Sequence, residues 1–170
     1  MNLRQTILAE HSKANCNRII KWVGDSQKRF NELFTLFIGD EYRVVQRAAW
    51  PLSYCSIDHP ELIQKHFGKL LKNLKKPNLP ISVKRNTVRL LQHITIRERY
   101  HGTVMDLCFG YIASPTEAVA VKAFSLTILQ NLSHQYPEIK NELKLLIEER
   151  WDHETVAFRT RAKKILKEIN

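Results

Sequence analysis

Residues 41–55 read EYRVVQRAAWPLSYC, a helix-like stretch crowded with arginines, aromatic rings and one proline. Alone, it has the composition of a chemical site. Its inner part, VQRAAWPL (45–52), has counterparts in VKRNTVRL (83–90), VAVKAFSL (119–126) and FRTRAKKI (158–165), at spacings of 38, 36 and 39 residues. The first position is bulky (Val45, Val83, Val119, Phe158) and the fifth small (Ala49, Thr87, Ala123, Ala162). The eighth is aliphatic (Leu52, Leu90, Leu126, Ile165). Offsets of four and seven share one helical face, and the small residue lets a neighbouring helix approach. On this reading Trp50 is a packing residue, equivalent to Val88 and Phe124. Pro51 removes an amide and leaves the Arg47 carbonyl without its helical partner.

Each of these helices follows another amphipathic one, over 26–38, 60–76, 99–113 and 137–151. In PELIQKHFGKLLKNLKK (60–76), Leu62, Ile63, Phe67, Leu70, Leu71 and Leu74 form one stripe and Lys65, Lys69, Lys72 and Lys76 the opposite one. Breakers recur at Gly24-Asp25-Ser26, Gly39-Asp40, Asp58-His59-Pro60, 77–80, 114–116 and 136–138, several of them capping residues or a proline at a helix start. No segment alternates with period two. Two helices per period cannot enclose a core alone, so successive pairs must stack. The expectation is an all-α chain of roughly nine antiparallel helices. It forms one domain over 1–170, with a capping helix over 1–24 and repeats over about 26–56, 60–95, 97–134 and 137–169.

The lead-ins GDEYRVVQRAAWPL and ASPTEAVAVKAFSL resemble the turn and second helix of HEAT repeats, in which a turn of Asp-Pro type precedes a Val-Arg step and then a small residue. Asp40, Val45 and Ala49 match that pattern, as do Ser114-Pro115, Val119 and Ala123. Val83-Lys84 and Phe158-Arg159 match the Val-Arg step, whereas Gln46 and Ala120 stand where the arginine is expected. The resemblance covers about residues 26–170 and extends to small stand-alone HEAT-like proteins of bacteria. It implies a right-handed α-α superhelix whose second helices line a concave surface, used in that family chiefly to hold protein partners.

Cys16, Cys55 and Cys108 form no CxxC pair and are odd in number, as expected of buried free thiols in a reducing compartment. Charges thread the amino-terminal stretch MNLRQTILAEHSKANC, unlike a signal peptide, and no run approaches the ~20 apolar residues of a membrane helix. A cytoplasmic chain is expected. No catalytic or phosphate-binding motif is present, the seven histidines are scattered, and neither a metal nor a cofactor is expected. Glu148, Glu149, Asp152 and Glu154 beside Arg150, Arg159 and Arg161 read as a salt-bridged helix end.

The formal charge is +10, and residues 62–97 supply nine cations with no Asp or Glu. Besides the ridge of Lys65, Lys69, Lys72 and Lys76, this block holds Lys84, Arg85 and Arg89 on one second helix. Alignment of the second helices adds Arg47, Lys122, Arg161 and Lys164 to an inner basic strip. Unbalanced cations on one surface call for an anionic partner. The first expectation is a non-enzymatic scaffold that presents a basic concave surface to an acidic protein. The alternative is a nucleic-acid backbone held by phosphate contacts, with arginine near Tyr42, Trp50 or Tyr54 adding stacking. A third reading is a relative of the HEAT-like DNA glycosylases that excise alkylated bases, which use tryptophans and an acid in a basic cleft. Its candidates are Trp22, Trp50 and Trp151 with Asp40, Asp106 or Asp152.

Overall fold

Short polar side chains set the first helix starts. Asn2 Oδ1 accepts from the Gln5 amide, Ser12 Oγ from that of Asn15, and Ser26 Oγ from that of Arg29. Each satisfies an amide that has no partner within its own helix. The helices they open are α1 (Leu3–Ala9), α2 (Lys13–Val23) and α3 (Gln27–Phe37). There follow α4 (Tyr42–Asp58), α5 (Pro60–Gln64), α6 (Phe67–Asn73), α7 (Ile81–Leu91), α8 (His101–Ala113), α9 (Val119–Ser133), α10 (Ile139–Arg150) and α11 (Val156–Ile169). The computed structural model describes residues 1–169. Among them are eleven α-helices, two 3-10 turns and no strand.

The count exceeds the nine expected because two segments break. Over 1–24 the break lies at Glu10–Ser12, where Asn15 Nδ2 turns back to the Thr6 and Glu10 carbonyls at 2.7 and 2.9 Å. Over 60–76 it lies at Lys65–His66, where the His66 ring swings onto α3, 4.3 Å from the Phe34 ring, with Nε2 2.6 Å from Asn31 Oδ1. Gly24 ends α2 at φ +50°, a conformation that costs a residue with a Cβ more than it costs glycine.

Two compact units divide the chain, Met1–Thr95 and Ile96–Asn170. In the first, α4 is the central element and packs on α1, α2, α3 and α7 around Phe30, Phe34, Leu52 and Leu90. In the second, α9 packs on α8, α10 and α11 around Val104, Leu126, Leu143 and Phe158. The same rule holds within each unit. The second helices α4 and α9 each pack on their own partner, α3 or α8, and on the next second helix, α7 or α11, which is how repeat proteins extend a core that no single pair can close.

Burial corrects the repeat register in α9. Val45, Val83 and Phe158 are buried, yet Val119 is 36% exposed and Val121 is 0% exposed. Ile81 and Val156, two residues before Val83 and Phe158, are exposed in the same way as Val119. The equivalents in α9 are therefore Val121, Ser125 and Ile128, all buried, and the spacings become 38, 38 and 37 residues. The sequence VAVKAFSLTIL is apolar nearly all round, so two registers fit its pattern, and only contact separates them. In the corrected register Lys122, not Ala120, follows the bulky residue.

Candidate functional site

The cations singled out by sequence fall into three environments. Lys84, Arg85 and Arg89 lie on α7, which packs against α4 in the first unit. Arg85 is exposed. Arg89 is half-buried, with its guanidinium 4.2 Å from the centre of the Tyr54 ring on α4. Such a contact restrains the guanidinium by cation–π attraction. Lys84 is half-buried beside them.

A second group spends its charge on the chain itself. Arg47 Nη1 donates to the Leu8 and Ile7 carbonyls at 2.8 and 3.4 Å, closing the end of α1. Arg161 Nη1 reaches from α11 to the Ala123 carbonyl at 3.2 Å and Thr127 Oγ1 at 3.1 Å, with its guanidinium 5.7 Å from the Phe124 ring. Their shared task is to tie one helix to another.

Lys122 departs furthest from its expected place on the strip. It is 2% exposed, with Nζ 2.5 Å from Glu154 Oε1, an oxygen that also accepts from Arg150 Nε and Nη2 at 3.1 and 3.0 Å. The register does not explain the burial, because the corrected equivalents of Lys122 are Gln46, Lys84 and Arg159, all half-buried; its pairing with Glu154 is what distinguishes it. A buried ammonium requires such a partner, since unpaired burial costs several kcal/mol. Glu154, expected in a solvated helix end, is itself buried. Lys164 remains exposed on α11. Of the strip, Arg85 in the first unit and Lys164 in the second are exposed, with Arg89 stacked on Tyr54 and Lys84 half-buried beside it.

The ridge cations Lys65, Lys69, Lys72 and Lys76 are exposed, and Lys76 Nζ donates to the Ile38 carbonyl at the end of α3 at 3.0 Å. His66 lies beside this ridge, and its pKa is lowered first by burial and then by Lys69 and Lys65.

The three thiols share one electrostatic fate. Burial pushes the Cys16 thiol up to about 11, the nearby Arg89 charge working against that rise. Burial also pushes Cys55 and Cys108 to about 12, so all three thiols are protonated at neutral pH. Among the described residues no group of three His, Cys, Asp or Glu is placed to hold a metal ion. The tryptophans each meet a different neighbour: Arg29 over Trp22 at 5.2 Å, His11 edge-on to Trp50 at 5.7 Å, and Lys163 over Trp151 at 5.9 Å. No described helix is long and apolar enough to cross a membrane.

Within each unit, helices pair and stack with cations on the second helices, the arrangement of a helical-repeat class of protein. Residues 3–169 match the HEAT repeat domain family, and the chain belongs to it. Members of that family are in general protein-interaction scaffolds and typically not enzymes. Neither the curated proteins nor the solved structures contain a match to this chain.

Proposed function

We propose that this chain is a non-enzymatic binding module of the cytoplasm whose α7 face, Lys84, Arg85 and Arg89, engages an acidic surface on a partner protein. The observation that carries the reading is the Arg89–Tyr54 stack at 4.2 Å with Arg85 exposed on the same helix. The surrounding stretch 62–97 contains nine cations and no carboxylate, an excess of positive charge that favours an anionic partner. A guanidinium held against a ring loses less freedom on binding than a free one, so carboxylates meet a partly preorganised donor. The same reading keeps the chain as one module of four helical pairs behind an amino-terminal cap.

Phosphate-backbone binding is the second reading, supported by the same arginines and by the charge of +10. One comparison separates the two. Wild type and the Arg85→Glu/Arg89→Glu variant are titrated with fluorescent single- and double-stranded DNA and RNA at low and physiological salt. Both proteins also serve as bait for interacting proteins. Recovery of an acidic protein that the variant fails to hold supports the scaffold. Nucleic-acid binding that the variant loses and salt steeply weakens replaces it with the second reading. Indifference of every ligand to the double change removes α7 from the function.

A further inference from the structure

A separate groove of about 490 Å3 opens in the first unit where α3 and α6 end. Its walls are mostly carbon: Ile38, Pro77 and the aliphatic stems of Lys69, Lys72, Lys75 and Lys76. Long lysine side chains bury their methylenes in this way and carry the ammonium to the rim. Lys76 already serves the Ile38 carbonyl. Lys69, Lys72 and Lys75 make no ion pair among the described residues, and no Asp or Glu occurs between Leu62 and Arg97 to supply one. Asn73 also borders the groove. It is 3% exposed, and its Nδ2 has no hydrogen-bond partner among the described residues. A buried donor left unused keeps its desolvation penalty, which an incoming acceptor removes.

We propose that this groove docks a short acidic segment of a partner protein. One apolar side chain seats between Ile38 and Pro77, carboxylates on either side meet Lys69, Lys72 and Lys75, and the segment supplies an acceptor to Asn73. The occupant follows from complementarity of two kinds at once, an apolar floor and a cationic rim. A nucleic acid offers the anions, but no aromatic ring lines the groove to stack a base. A single anionic headgroup leaves most of the rim cations unmatched. A peptide with an apolar anchor between glutamates or aspartates satisfies floor and rim together. The groove shares no residue with the α7 face, so the two readings stand or fall separately.

The test uses the full 15N-labelled chain and a panel of fluorescein-labelled octapeptides, each with one Leu, Ile, Met or Phe anchor among Glu and Asp residues. At least one peptide is expected to shift the Asn73 side-chain amide signal. Its affinity, read by fluorescence anisotropy, should fall at least tenfold in Lys69→Glu/Lys72→Glu and when the anchor is replaced by Ser. Arg85→Glu/Arg89→Glu carries the same change in charge and should alter that affinity less than about twofold, within additivity for distant sites. Circular dichroism melts confirm that the variants fold. Several outcomes overturn the proposal: no peptide moves Asn73, the anchor is irrelevant, or both double variants weaken binding equally. Tighter Lys69- and Lys72-dependent binding of a single-stranded oligonucleotide or of phosphatidylserine vesicles overturns it as well.

Discussion

Residues 1–95 carry 16 Lys and Arg against 7 Asp and Glu, whereas residues 96–170 carry 11 against 10. The net charges of +9 and +1 belong to two units built from the same helical-pair plan. They use their cations differently. The second unit takes Lys122 inside and neutralises it with Glu154, which Arg150 also holds. The first leaves Lys69, Lys72 and Arg85 in solvent and keeps its main cation–ring stack, Arg89 on Tyr54, at the face of α7. The buried charge of Lys122 therefore maintains structure, as Arg47 does in the first unit through the Leu8 carbonyl, while Lys69, Lys72 and Arg85, like Lys164 in the second, stay in solvent. Composition alone cannot make this distinction, because it depends on which cations have a carboxylate within reach.

Glu154 carries the largest expected effect. Replacing it with Gln leaves Lys122 buried beside a neutral group and is expected to cost about 3–5 kcal/mol, measured by urea unfolding. A loss below about 1 kcal/mol refutes the structural role given to this pair. The register comes next. Val121→Ala deletes two buried methyls and should cost about 2 kcal/mol, whereas Val119→Ala, at a partly exposed site, should stay within about 0.5 kcal/mol. Equal losses restore the spacing of 36 residues that the sequence alone suggests.

Smaller effects sharpen the other half of the contrast. Lys69→Met and Lys72→Met, made singly, should each change stability by less than about 0.5 kcal/mol, since neither exposed lysine has an ion pair to lose among the described residues. A substantial loss at either position would reassign the ridge to structure. His66 should give the smallest signal. Burial, Lys69 and Lys65 hold its folded pKa below the ordinary 6.5, so the unfolded chain takes up the proton more readily. Its contribution is present in full above that value and lost as pH falls below it. Melting curves between pH 5 and 8 should show His66→Gln losing less stability with acid than wild type, and parallel curves would deny the histidine this part.

Much of the architecture is legible in the residues. Helical spacing, capping serines and the recurrence of a bulky, a small and an aliphatic residue imply stacked pairs, and the match over residues 3–169 shows the family that this pattern resembles. The break at His66 is not legible, because the ring leaves the helix for contacts with Asn31 and Phe34 about one repeat earlier in the chain. The α7 arginines were visible as a charge cluster, and Tyr54 as one candidate platform among three rings. The groove was not visible. Its walls come from Ile38 at the end of α3 and from the turn after α6, distant in sequence and unremarkable in composition. Lys122 carried a misleading signal, since a cation in an apolar run reads as exposed until its partner is seen.

Periodicity and composition, local properties that each segment carries alone, already make this protein helical, repetitive and unevenly charged. Tertiary structure decided which of two registers α9 adopts and which cations remain available. Burial and pairing depend on residues more than thirty positions apart, as Lys122 and Glu154 are. The difference is one of desolvation. A lysine with water on one side is a charge for a partner, and the same side chain enclosed with a glutamate is part of the core.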